Sequence, residues 1–263
     1  MTRLHILPSQ PSVPQKVLIH RRAPSGGLGD RYKGGQFIPN DLWQAEKRKA
    51  ESALPDLLSG FGDRLQFLRQ VYVQNSELIK EGTTKVKLVP LSTIEWRMKA
   101  AVRETYARAF LLGKKAAGNL FSATPAEIKA VKKLRIEEFY WLRNFLKDMR
   151  DEGGVMSYEK RMDMYRAAAR EIYNVGYVIG NQSPNRYLKW QTEVLRNVKE
   201  SCPDCVRFSN MDWLSVADFI RDIISKGYIC QSGKLACKGY LCGCGILEKF
   251  VGPETSGMQN QVE

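Results

Sequence analysis

Cysteine thiols can hold soft metal ions, form disulfides or act as nucleophiles, and this chain gathers all of its thiols in one region. Cys202, Cys205, Cys230, Cys237, Cys242 and Cys244 lie in the last quarter of the 263 residues, and no cysteine precedes them. Cys202-Pro203-Asp204-Cys205 has the C-x-x-C spacing that lets two thiolates meet one ion from a tight turn. Cys237, Cys242 and Cys244 follow about thirty residues later, among Gly239, Gly243 and Gly245, which let the backbone fold around a ligand set. With no histidine nearby, a metal site here takes four thiolates, the donor set of closed, structural zinc. The candidate ligands are Cys202, Cys205, Cys237, Cys242 and Cys244. Cys242 competes with Cys244, because both thiols of a C-x-C rarely bind one ion without strain. Cys230, alone at the end of an apolar stretch, is expected to be spare. Such a site contributes on the order of 10 kcal/mol to folding a module too small for its own core. Two other fates of the thiols stay open: packed and free, or paired as disulfides after release from a cell.

Other chemistry has little support. A thioredoxin-like role for Cys202-Pro203-Asp204-Cys205 would need the motif to end a strand and open a helix in a βαβ setting. The preceding residues read as a helix instead. Both histidines, His5 and His20, fall in an N-terminal arm, so no Ser-His or Cys-His pair can form within the body. GGLGDRY lacks the Lys-Ser/Thr of a phosphate loop. Glu137 and Glu138 are adjacent, so their side chains diverge around a helix. The chain reads as a protein without a catalytic site.

The elements that must position the cysteines are helices, giving a mainly α fold. Residues 1–40 hold Pro8, Pro11, Pro14, Pro24 and GGLGDRYKGG, and read as a flexible, basic, extended arm. A helical body is expected over 41–200, a small zinc-ribbon-like cysteine module over 201–250, and a disordered tail over 251–263. Asn40 caps a first helix through DLWQAEKRKAESAL, and a second is expected from Asp63 to about Lys80. TTKVKLVPL reads as a short extended segment. In the next helix Met98, Ala101, Thr105, Ala109 and Leu112 form a stripe rich in small residues. Thr124-Pro125-Ala126-Glu127 is a capping box with proline at the first helical position. It opens a helix with Ile128, Val131, Phe139, Leu142, Leu146 and Met149 on one face, stopped by Gly153-Gly154. Ser157 caps a helix in which Tyr165, Ala168, Ile172, Val175 and Ile179 share a face, while Gly176 and Gly180 end it or admit a close neighbour. Residues 185–200 read as one more amphipathic helix, with Tyr187, Trp190, Val194 and Val198 on one side.

The net charge of +13 is unevenly spread: +6 in residues 1–50, +8 in 51–200 and −1 in 201–263. The arm and body therefore suit polyanions or an acidic protein face, and the cysteine block does not. No run approaches the roughly 18–20 apolar residues of a membrane span, and the proline-broken start lacks the apolar core of a signal peptide. A reducing cytosol is the expected site of synthesis, where clustered thiols favour metal over disulfides.

MDMYRAAAREIYNVGYVIG, YLKWQTEVL, SCPDCVRFSNMDWLSVADF and LACKGYLCGCGILE appear in that order, with Tyr165, Trp190, Cys202, Cys205, Trp213, Cys237, Cys242 and Cys244 as the marking residues. This arrangement resembles the C-terminal part of bacteriophage Mu F-like minor head proteins, also called phage head morphogenesis proteins. DRYKGGQFIPND resembles, less specifically, a short stretch near the start of some of them. The resemblance covers about residues 155–250. Gly243 stands where the closing C-x-C usually has Arg, and Cys230 has no counterpart. The resemblance implies a structural minor capsid protein of a tailed bacteriophage, present in several copies per head. It implies association with the portal or major capsid protein and residence in the virion, while the basic arm and helical body suit packaged DNA phosphates or, equally, an acidic portal or scaffold surface. A zinc-containing nucleic-acid-binding regulator is the rival class. It would carry Lys and Arg on the cysteine block itself.

Overall fold

The computed structural model describes residues 32–33, 36–37, 40–82, 89–120, 122–151, 157–182, 185–192, 201–230, 232–237 and 242–251. The expected arm and tail, and the part of the expected TTKVKLVPL segment before Val89, fall almost wholly outside these residues. Of the arm, Tyr32–Lys33 (β1) and Gln36–Phe37 (β2) pair antiparallel, Tyr32 opposite Phe37.

The protein is mainly α-helical, as expected, with a cysteine cluster near its C-terminus. Helix α1 runs unbroken from Asn40 to Lys80, with Pro55 inside it, where two helices were expected. Leu57, Leu58, Phe61, Leu65, Leu68 and Tyr72 are all buried at three- and four-residue spacing. Buried Ala50 and half-buried Leu54 extend the same face, so one apolar stripe crosses Pro55, Gly60 and Gly62, and its packing outweighs the local helix-breaking tendency.

Helix α2, Leu91–Ala116, is the centre of the bundle, packed between α1 and α4, Tyr158–Gly180. Met98, Ala101, Thr105 and Ala109 are buried and Leu112 half-buried, as the stripe implied. The small residues let the backbones of α2 and α4 nearly touch. A Cβ on Gly113 would sit 2.0 Å from the Tyr173 carbonyl oxygen, and one on Gly176 would sit 2.2 Å from that of Phe110. Gly176 and Gly180 are thus contact points, and α4 runs through both.

Helix α3, Pro125–Asp151, starts at the expected capping box. The Thr124 amide donates to Glu127 Oε2 at 2.6 Å, and the Glu127 amide donates to Thr124 Oγ1 at 3.3 Å. The same carboxylate receives the buried Lys114 ammonium at 2.8 and 3.0 Å, which ties the start of α3 to the end of α2. Val131, Leu142 and Leu146 are buried, whereas Ile128 is exposed. The Met149 side chain lies outside the described set. Ser157 caps α4 by accepting from the Lys160 amide at 3.4 Å.

Of residues 185–200, expected to be a further amphipathic helix, 186–191 form a strand. Arg186–Gln191 forms β3, and its burial alternates, with Arg186, Leu188 and Trp190 inward and Tyr187, Lys189 and Gln191 half-exposed. Tyr187 and Trp190 therefore lie on opposite faces rather than one; Val194 and Val198 fall outside the described residues. Strand β3 is the middle of a three-stranded antiparallel sheet between β4, Leu214–Ser215, and β5, Gly245–Phe250. The boundary expected at residue 200 thus separates β3 from both strands that it pairs with. Arg186 anchors the sheet to the bundle, donating to the Ala117 carbonyl at 3.0 Å and to the Asn181 side-chain oxygen, and pairing with Glu248 of β5 at 3.3 Å. Among the described residues, no helix is long and apolar enough to cross a membrane.

Candidate metal centre

Two short segments and one loop bring the thiols together. Helix α5, Pro203–Ser209, begins inside the C-x-x-C: Cys202 is its N-cap, with Sγ accepting from the Cys205 amide at 3.5 Å, and Pro203 takes the first helical position. Cys205 and Phe208, three residues apart, share the buried face. Phe208 packs on Trp190 of β3 with ring centres 4.9 Å apart, and on Tyr228 at 5.2 Å. The sheet therefore fixes the helix that presents Cys205. Cys242 and Cys244 lie just before β5, whose first residue, Gly245, pairs with Gln191. Cys237 ends the 232–237 loop, where Asp204 of the C-x-x-C accepts from the Ala236 amide at 2.8 Å. The spacer residue Asp204 thus fastens one ligand-bearing turn to the other.

All five expected ligands fall into two overlapping groups. Cys202, Cys205 and Cys237 have Sγ atoms within 4.8 Å of one another, as do Cys205, Cys242 and Cys244. These clusters could hold a metal ion. Cys205 and Cys242 Sγ are 3.8 Å apart. That matches the edge of about 3.8 Å in a thiolate tetrahedron with metal–sulfur bonds of about 2.3 Å. Cys242 and Cys244 Sγ are only 2.8 Å apart, too close to be two corners of one tetrahedron without movement.

Cys230 belongs to neither group. It is fully buried. Its carbonyl accepts from the Asn174 side chain at 2.9 Å, which ties the cluster to α4. Asn174, Asp204 and Phe208 support the site and were not singled out in the sequence. Asp204 alone left a signal there, an acidic residue in the spacer of a C-x-x-C.

The thiols differ in acidity. Burial opposes ionisation of Cys202, but the Cys205 amide and the thiols of Cys205 and Cys237 hold its pKa below the ordinary value. Cys205 is pushed up, first by its hydrogen bonds to Cys242 and Cys244 and then by burial. Burial also raises Cys230.

The C-x-x-C opens α5, and the described element before it, β3, lies in an antiparallel sheet and not in a βαβ unit; residues 193–200 of the expected helix fall outside the described residues. A second surface, unmarked in the sequence, lies between α2 and α3. Lys99, Arg143 and Lys147 line a cleft there together with Glu95, and Trp96, Tyr140 and Trp141 on the same two helices are exposed. Comparison with family models, with curated proteins and with solved structures returns no match.

Proposed function

We propose that this chain is a structural, non-enzymatic minor head protein of a tailed bacteriophage, acting in head morphogenesis, with a C-terminal module held by structural zinc. One observation carries the reading: a C-x-x-C, an apolar turn, a variable segment and a closing C-x-C, whose thiols converge beside a helical bundle. The donor set is all sulfur, which favours zinc over harder divalent ions. The positive body, with the Lys99, Arg143 and Lys147 cleft, supports contact with DNA phosphates or with an acidic portal or capsid surface. The protein is then a virion component, present in several copies per head.

Two experiments test the reading. Elemental analysis of the reduced, purified protein should find zinc, and a strong chelator should lower its melting temperature. Zinc-free protein with an unchanged melt rejects the metal. Density-gradient purification of nuclease-treated particles from the source strain, followed by immunoblotting, should place the chain in the head fraction. Its absence from particles rejects the head assignment. The rival reading, a zinc-containing regulator, is favoured instead if the chain stays soluble and protects one DNA sequence in a footprint.

A further inference from the structure

Not every cation of the helical bundle is neutralised. Lys114 meets Glu127, and Arg64 meets Glu104. In the cleft between α2 and α3, by contrast, no ion pair or hydrogen bond among the described residues engages Lys99, Arg143 or Lys147. Glu95 is the single acidic residue lining that cleft, so three cations face one anion, with the Asn144 side chain beside them. The two helices run antiparallel: Lys114 near the end of α2 meets Glu127 near the start of α3, and the start of α2 shares the cleft with the later turns of α3. Trp96 lies one turn before Lys99 and Tyr140 one turn before Arg143, so the two rings stand toward opposite ends of the cleft. They are 61% and 59% exposed. Trp141, also exposed, meets Tyr140 nearly at right angles, a contact that covers at most one face of either ring. Single exposed apolar side chains are ordinary, but three large rings around one basic cleft form a patch of the kind that marks a binding surface.

Resting on the phosphate contact read from this cleft above, and deepening it, we propose that the cleft binds single-stranded nucleic acid. Lys99, Arg143 and Lys147 hold backbone phosphates, and Trp96 and Tyr140 stack on bases splayed toward either end. In a duplex the base faces are closed against one another, so a duplex meets the cations alone. A duplex groove is also read by a convex helix or ribbon inserted into it, whereas this surface is concave, with a volume of about 240 Å³. The rings separate nucleic acid from an acidic protein face. Every base offers them a π-face, while carboxylates are repelled by the negative face of an aromatic ring.

Fluorescence anisotropy of the full chain with a labelled oligothymidylate of about 15 nucleotides reads the binding. This strand should bind more tightly than a duplex of equal length and than an abasic strand of equal charge. Trp96→Ala and Tyr140→Ala should each weaken oligothymidylate binding by about 5–150-fold and abasic binding far less. Tyr140→Phe, which keeps the ring, should restore what Tyr140→Ala loses. Both rings are exposed, so circular-dichroism melts of these variants should match that of the unaltered protein. Equal affinity for the abasic strand, or alanine variants that bind oligothymidylate as before, overturns the stacking and leaves the phosphate contact standing. Arg143→Glu with Lys147→Glu should weaken binding of every strand, and unchanged binding overturns the phosphate contact and this proposal together. Tighter binding of polyglutamate than of oligothymidylate overturns the proposal in favour of an acidic protein face.

Discussion

Replacing Gly176 by Ala tests whether α2 and α4 are as closely apposed as their glycines imply. A helical alanine in place of glycine ordinarily gains about 1 kcal/mol. Here the new methyl would lie 2.2 Å from the Phe110 carbonyl oxygen, whereas ordinary contact begins at 3.4 Å. The obstacle is backbone, so no side-chain rotation relieves it, and the helices must separate by about 1.2 Å in an interior packed to crystal density. Overpacking of this kind costs about 1–3 kcal/mol, and a backbone clash belongs at or beyond the upper end. After the propensity gain, a net loss of about 2 kcal/mol remains, which for a chain of this size lowers the melt by about 4–8 °C. Gly60→Ala is the control. Gly60 is an exposed residue inside α1, and an added methyl there would find nothing within 4 Å, so the change should gain about 0.5–1 kcal/mol. Circular-dichroism melts of the two variants should move in opposite directions. A Gly176→Ala melt at or above that of the unaltered protein would refute the close apposition.

Asp204→Ala removes the acceptor of the Ala236 amide and should weaken zinc binding by about 10–100-fold, measured by competition with a chromophoric chelator. Affinity equal to that of the unaltered protein would show that the two ligand turns are set independently. Burial raises the phenol pKa of Tyr106, Tyr165, Tyr173 and Tyr177, and lifts that of Tyr158 to about 12. These folded values lie above the unfolded value of about 10, so the stabilisation is complete below pH 10 and is lost as pH rises toward and past 12. Phenolate absorbance should therefore appear together with loss of helical signal in an alkaline titration, and phenolate appearing first in intact helix would contradict it. Arg143→Glu with Lys147→Glu should weaken duplex DNA binding and reduce the salt dependence by about 0.9 in log–log slope per lost phosphate contact. An unchanged slope would move the DNA contact elsewhere.

Where local chemistry decides structure, the sequence was readable. Thr124 and Glu127 specify their reciprocal hydrogen bonds without help from the rest of the fold, and Ser157 does the same for α4. Where tertiary contacts decide, it was not. Pro55 with Gly60 and Gly62 looks like a break until the apolar stripe from Ala50 to Tyr72 is seen to cross them. Residues 186–191 carry two periods at once: Tyr187, Trp190 and the valines beyond fit a helix, while Leu188 and Trp190 alternate as a strand. The partner strand, β5, chooses between them, and it lies more than fifty residues away in the chain. The cysteine set was legible because thiol spacing reports a shared task directly. The tie between Asn174 of α4 and the Cys230 carbonyl was not, because it joins residues fifty-six apart in the chain.

The pairing of β3 with β5 also imposes an order of events. Helices α1 to α4 are joined by neighbours in sequence and can assemble as they emerge. Strand β3 waits for residues 245–250, and Cys202 and Cys205 wait for Cys237, Cys242 and Cys244. A growing chain that has passed Cys205 but not Gly245 exposes Trp190 and two thiols beside a finished bundle. For that interval the supply of metal cannot close the module, and the clock is set by how fast the remaining residues arrive.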